Sequence, residues 1–327
     1  MRFIHADPDW PNFLWNAEAL STPLAAVRHR QGLLLGRMGT FPRELRAEAS
    51  TTTLASNATG MAELMLDATR HQTKPLTKQR LFGWHASLFP TAHVGMQRIT
   101  AGAWRTSSSE PVRGVSEPAG RERAQFVAPA ADRIESEMAT FLEWFNGTPT
   151  IDPVLMAGTA HLWFATLEPF EAGNDQIASA ITEMALARAD GTHERFYSMS
   201  TRIARERKAH DKQLSAAQHR DLDISPWLEW FIGCLDRAIS DAEDTLVPVL
   251  QRADFWKRAQ RHTLNKRQRL VLERMSGLPE GLLTNATYAK MAKCSPDSAL
   301  RDMREMLEWG LLRRTVGGGR STSYRVA

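Results

Sequence analysis

Only two cysteines, Cys234 and Cys294, occur in 327 residues. They share no CxxC or Cys/His spacing, so a disulfide framework and a cysteine-based metal site are excluded, and both read as small core residues. Tyrosine is nearly as scarce, three against ten tryptophans, and several of the tryptophans fall at helix-period positions where core packing is expected. No apolar run approaches the roughly 20 residues that a membrane-crossing helix needs. The opening MRFIHADPDWP has no signal-peptide h-region either. These absences lead us to expect a cytoplasmic or nucleoid-associated protein without a membrane partner.

What is present is the composition of an ordinary globular protein, long enough for two or three domains. Its net charge of +4 conceals a split. Residues 256–327 hold fifteen Lys and Arg against six Asp and Glu, a balance of +9, which leaves −5 for residues 1–255. A basic C-terminal part on an acidic body points to nucleic acid or an acidic partner for that part.

The stretch LEPFEAGNDQIAS, residues 167–179, is the most informative. A helix-period apolar run over 152–167 leads into it, and a second, over 177–189, leaves it. Pro169 cannot continue a helix, while Gly173 and Asn174 tolerate positive φ, so the spacing predicts a tight loop with exposed amides. Amides at the start of the next helix, with its dipole, favour an anion such as phosphate or carboxylate.

This stretch resembles the active-site loop of the Fic (Fido) family, AMP transferases with the motif His-Pro-Phe-x-Asp/Glu-Gly-Asn-Gly-Arg-x-x-Arg. Pro169, Phe170, Gly173 and Asn174 match it, and the chemical positions depart from it. Glu168 stands for the general-base His, Ala172 for the metal-binding carboxylate, Asp175 for the second loop Gly, and Gln176 and Ser179 for the two Arg. Gln keeps at best a neutral donor where a bidentate Arg–phosphate pair is needed. Asp175 brings an anion into a polyphosphate cradle, with no cation at Ala172 to bridge them. Glu168 can replace the His only if burial raises its pKa and substrate is bound. The resemblance therefore implies a retained scaffold with failed nucleotide chemistry and no cofactor. The alternative is altered chemistry with ATP and Mg²⁺, in which Glu168, Glu171 and Asp175 hold a cation in a new way.

Other segments fit the same subgroup. Trp10, Pro11, Phe13 and Trp15 match a WPxFxWD pattern, with Asn16 for its Asp, and these aromatics are expected to dock on the body. Thr22 is read as the cap of a helix opened by Pro23. Between Pro42 and Leu66 the Ser/Thr/Asn cluster at 49–60 predicts an interruption between two helical pieces. The family's inhibitory motif falls there; aligned on Thr52 and Asn57, its Glu is Ser56, so the brake is missing too. Two β pieces are expected, Gln97–Arg105 and Arg123–Val127; the first resembles the family's flap, a hairpin that pairs with a target's backbone, and Gly102, Trp104 and Arg105 match its ending. Helices are expected over 81–88, 130–146, 196–211 and 227–250, with Ile134, Met138, Phe141, Leu142 and Phe145 as a core stripe. His161 is read as a hydrogen-bonded core histidine, not a metal ligand.

Over 263–327 the pattern is three helices and a hairpin, the order of a winged helix-turn-helix. Asn265 caps the first helix, Asn285 or Thr287 the second, and Ser295-Pro296 open the third. Ser298, Arg301 and Arg304 are the base-facing candidates, Arg320 and Ser321 sit at the wing tip, and Lys290, Lys293, Arg313 and Arg314 supply backbone charge. Asp302, Glu305 and Glu308 on the same helix count against DNA. The expected fold is mainly α: residues 1–84 an N-terminal helical segment, 85–255 the Fido core with a small hairpin flap, 256–327 the winged helix. The expected function is a Fic-type protein without AMP transfer that regulates by binding DNA through the winged helix, or protein through the flap or a dimer. Alternatives are a nucleotidyltransferase with altered chemistry and a non-enzymatic partner of an active Fic protein.

Overall fold

Two apolar helices, α6 (Pro153–Leu167) and α7 (Asn174–Asp190), form the centre of the first half of the chain. The computed structural model describes residues 3–55, 61–106, 126–276, 281–315 and 322–327. Every residue of α6 from Val154 onward is buried, and so is α7 from Ile177 to Ala187. Asp152 caps α6, its carboxylate accepting the Val154 N–H at 2.8 Å. Pro153 opens the helix where a missing N–H costs nothing.

By its internal contacts the chain divides into Met1–Asp244 and Thr245–Ala327. In the first unit α6 and α7 are surrounded by α1 (Ala17–Gly39), α2 (Arg43–Ala55), α3 (Met61–Arg70), α4 (Lys78–Leu88), α5 (Ile134–Asn146), α8 (Met199–Arg205), α9 (Arg207–Gln218) and the first part of α10 (Ser225–Ala259). The close approach of α10 to α6 needs Gly158. A Cβ there would lie 3.0 Å from Leu228 Cδ2 and 3.1 Å from the Phe231 ring, and Trp227 donates its indole N–H to the Gly158 carbonyl at 2.8 Å. The α5 stripe is buried at Ile134, Met138, Phe141 and Phe145, with Leu142 half-buried. Trp10 and Phe13 meet Trp163 of α6 edge-on at 6.1 and 5.6 Å, so the N-terminal aromatics do dock on the body.

The first unit encloses a network of charges. Arg195 is 1% exposed and lies between Asp190 and Glu183 of α7, with its guanidinium 4.4 Å from the Tyr197 ring. Gln31 of α1 donates to Asp190 at 2.6 Å, and the Arg195 N–H reaches Ser50 of α2 at 3.0 Å. An enclosed ion must be paired and hydrogen-bonded, and this network ties α1 and α2 to the end of α7.

Several expected boundaries move. The first long helix starts at Ala17, capped by Asn16, whose side chain accepts the Ala19 N–H at 3.0 Å; Pro23 lies inside it, not at its start. α2 runs through Thr51–Thr53 without a break because those hydroxyls bond back to Ala47 and Ala49 at 2.8 and 3.1 Å, satisfying within a helix the groups that argued for a turn. The expected helix over 196–211 is α8 and α9, divided at Glu206, which accepts from both Arg237 and Arg202. The flap is smaller than expected. Only Gln97–Arg98 (β2) pairs, antiparallel with His93–Val94 (β1), and Ile99 to Thr106 run on without strand pairing. Residues 123–125 of the other expected β piece lie outside the described residues, as do Ser56, Asn57, Arg320 and Ser321.

The second unit contains the end of α10, then α11 (Lys266–Ser276), α12 (Asn285–Ala292), α13 (Pro296–Glu308) and the antiparallel pair β3 (Leu312–Arg314) and β4 (Tyr324–Val326), with Leu283 bridging to Tyr324. Phe255, Leu272, Tyr288, Met303, Met306 and Leu311 are part of its core. Asn265 caps α11 by accepting the Arg267 and Gln268 N–H groups, both at 2.9 Å. Thr284, not Asn285 or Thr287, caps α12, in a capping box with Thr287. Ser295 caps α13 with Pro296 at its first position.

Candidate functional site

α6 ends at Leu167 because Glu168 turns into the left-handed region (φ 41°) and Pro169 follows. Asn174 then closes the loop on itself. Its side-chain oxygen accepts the Phe170 N–H at 3.0 Å and its amide donates to the Phe170 carbonyl at 2.9 Å. Phe170 is fully buried, stacked on His85 of α4 at 4.2 Å and flanked by Trp104 at 4.8 Å. Gly173 has φ 78°, and a Cβ on it would lie 2.7 Å from the Phe89 ring, so both its dihedral and its neighbour require glycine.

The chain's own groups hold the rest of the loop. His85 accepts the Gly102 N–H at Nδ1 (2.9 Å), which leaves Nε2 to donate to the Ala172 carbonyl at 3.1 Å. Burial lowers the pKa of this imidazole and keeps it neutral. Glu171 accepts from the Thr100 N–H at 2.9 Å. Arg105 is buried; its N–H donates to Pro169 O at 2.9 Å and its guanidinium to the carbonyls of Glu168 (2.8 Å), Leu167 (3.4 Å) and Pro129. A cation on the last carbonyls of α6 complements the helix dipole there. Gly102, Trp104 and Arg105, expected in a flap that reads a target, thus meet the underside of the loop.

A family model for the Fic/DOC family matches residues 75–186, and one for a domain of unknown function, DUF4172, matches residues 3–65. Residues 75–186 are thus a Fic/DOC family domain. A Fic family protein from Desulfovibrio desulfuricans has a similar fold, at 17% identity and TM-score 0.58, with 94% of this chain and 96% of that one covered. A Fic domain containing signaling protein from Bacteroides thetaiotaomicron is also similar, at 17% identity and TM-score 0.40, over 63% of this chain and 72% of that one. Among curated proteins none matches.

In the Fic loop, Asp175 sits in the first turn of α7 and its carboxylate pairs with Arg207 of α9. Burial alone would lower the Arg207 pKa, but Asp175 and Asp211 outweigh it and raise it. Arg207 Nε lies 2.9 Å from Asp211, Asp211 lies 3.1 Å from His210 Nδ1, and His210 Nε2 lies 3.0 Å from His161 Nε2. His161 is a buried, hydrogen-bonded core histidine, with Nδ1 2.9 Å from Thr182 Oγ1. Sequence reasoning missed His85, Arg207 and His210, which come from helices far along the chain and carry no local motif. Ser179 donates back to Asp175 O at 2.8 Å within α7, and Gln176 is half-buried with no side-chain hydrogen bond among the described residues. Glu168, Glu171 and Asp175 do not converge as a cation site, and among the described residues no three His, Cys, Asp or Glu do. Of the inhibitory-motif positions, Thr52 lies on α2.

In the second unit α13 divides its charges. Asp302 is 1% exposed and accepts from Arg267 Nε (2.8 Å), Asn265 (3.0 Å) and the Tyr288 hydroxyl (3.0 Å). Glu305 accepts from Gln268 at 2.7 Å. Arg301 and Arg304 are exposed, as are Lys290, Lys293, Arg313 and Arg314. Ser298 is half-buried and hydrogen-bonded to Ser295, so it belongs to the cap and not to the outward face. Two of the three acids that argued against DNA are therefore engaged inside the unit.

Proposed function

We propose that this Fic-family protein transfers no AMP and acts as a cytoplasmic regulator that binds DNA through residues 256–327, used as a winged helix-turn-helix. The observation that carries the reading is the division on α13, where Asp302 and Glu305 serve internal contacts while Arg301 and Arg304 point outward. Two arginines one turn apart suit base edges in a major groove, and the surrounding Lys290, Lys293, Arg313 and Arg314 suit phosphates. The loop supports the same reading from the other side. The first turn of α7, where a nucleotide's phosphate would be held, has the chain's own Asp175 in it, already paired with Arg207. No nucleotide cofactor is required in this account.

A protein partner is proposed at the β1–β2 hairpin, whose tip residue Met96 is fully exposed beside exposed Gln97 and Arg98. An exposed hairpin edge of this kind suits strand addition. The test of the DNA reading is fluorescence anisotropy of the full chain on duplex DNA across a salt series. Binding that weakens steeply with salt and drops on Arg301→Ala and Arg304→Ala supports it; no binding at low salt overturns it.

A further inference from the structure

α13 shows a narrow strip to solvent. Ala299, Asp302, Met303 and Met306 are buried in the second unit, while Asp297, Leu300, Arg301, Arg304 and Glu308 are exposed at the spacing of one helix face. Leu300 is an apolar side chain, 37% exposed, among charged ones. Arg301 has Asp297 one turn before it and Glu305 one turn after it, and Arg304 has Glu308 one turn after it, the spacings at which helical ion pairs form. Neither arginine makes a side-chain hydrogen bond or ion pair among the described residues. Glu305 instead accepts from Gln268 at 2.7 Å. Both guanidinium groups therefore keep their donors for a ligand.

The acids at the two ends of the strip say what those donors meet. Asp297, in the first turn of α13, and Glu308, beyond Arg304, each repel a phosphate. The strip between them suits uncharged acceptors, and the exposed Lys290, Lys293, Arg313 and Arg314 are left to the phosphate backbone. In the major groove guanine offers two acceptors, N7 and O6, on one edge, and a planar guanidinium meets both at once. The apolar feature of the same groove is the thymine methyl, which fits Leu300. We propose, resting on the DNA reading above, that α13 selects duplexes carrying two guanines within three successive base pairs, one for Arg301 and one for Arg304, with a thymine methyl beside them for Leu300. The spacing follows from the helix. At about 1.5 Å per residue the two arginines stand about 4.5 Å apart along α13, and base pairs repeat about every 3.4 Å, so their guanines lie on adjacent or next-but-one pairs.

The test offers the full chain, at low salt, a pool of duplexes randomised at their centre, sequences those retained, and remakes the most enriched duplex with base analogues for fluorescence anisotropy. Two enriched guanines within three successive base pairs are expected. Replacing either one by 7-deazaguanine, which has a C–H in place of N7, should weaken binding roughly 5- to 100-fold in the natural protein. Arg301→Ala should abolish that loss at one guanine and Arg304→Ala at the other. Replacing the thymine by uracil, which lacks only the methyl, should weaken binding about fourfold in the natural protein and leave Leu300→Ala unchanged; equal binding of uracil by the natural protein overturns the Leu300 contact. Enrichment without the paired guanines, or 7-deazaguanine bound as tightly as guanine, overturns the proposal and leaves the DNA reading standing. Retention of no duplex at low salt overturns both.

Discussion

Asp175 on α7 and Asp302 on α13 each pair with an arginine from another helix, and the two pairs do different things. Asp175 and Arg207 are both about half exposed, at 45 and 53% of their side chains, so their attraction is screened and contributes little to stability. Asp302 is almost wholly enclosed, with three donors around one carboxylate. The first pair sets what the start of a helix meets, while the second fixes how three elements pack. A half-exposed acid leaves the fold to other contacts, and an acid in a core changes the fold if removed. The Fic loop accordingly takes its rigidity from aromatic packing around Phe170, and the C-terminal unit takes its geometry from a buried carboxylate.

The largest expected effect tests the first half of that contrast. Phe170→Ala removes a ring packed on His85, Trp104 and Phe82 and should cost about 4 kcal/mol, read as a fall in the unfolding midpoint of the first unit. Asp302→Ala should cost about 3 kcal/mol in the second unit, since it leaves Tyr288 and Asn265 without their acceptor in a closed site, and DNA binding should go with it. Arg301→Ala or Arg304→Ala should leave unfolding unchanged and weaken binding to a preferred duplex by about 1–3 kcal/mol each. Smallest is Asp175→Asn, below about 1 kcal/mol in stability.

Acid should separate the two units. In the first, burial lowers the pKa of His5, His85 and His161, so the unfolded chain takes up protons that the folded one refuses, and stability falls as pH drops below about 6.5. In the second, burial alone would raise the Asp302 pKa, but hydrogen bonds from Arg267, Tyr288 and Asn265 outweigh it and hold it below the usual value. Its contribution is present above about pH 4 and is lost as pH falls through the lowered value. Unfolding followed by a probe in each unit should show the first weakening at the higher pH.

The helices on either side of the Fic loop were legible in the sequence because Asp152-Pro153 and Pro169 mark their limits by local chemistry. Asn265 and Ser295-Pro296 were legible for the same reason. Thr51–Thr53 misled because a threonine hydroxyl satisfies itself equally well in a turn or on a helical carbonyl, as it does here on Ala47 and Ala49. Thr22-Pro23 misled because Asn16 had already capped the helix six residues earlier. Local motif positions could not tell that Arg207 from α9, or His85 and Arg105 beneath the loop, hold it with contacts of the chain's own. Those depend on how distant helices pack, and no local pattern encodes them.

The most direct test of the central claim, that the loop keeps the family's shape while its anion position is served by Asp175, is calorimetric titration of the full chain with ATP and Mg²⁺, beside a variant carrying Asp175→Gly and Gln176→Arg. The account predicts no heat of binding for the natural protein and measurable binding for the variant. Micromolar binding by the natural protein would contradict it and make Glu168 the first residue to replace.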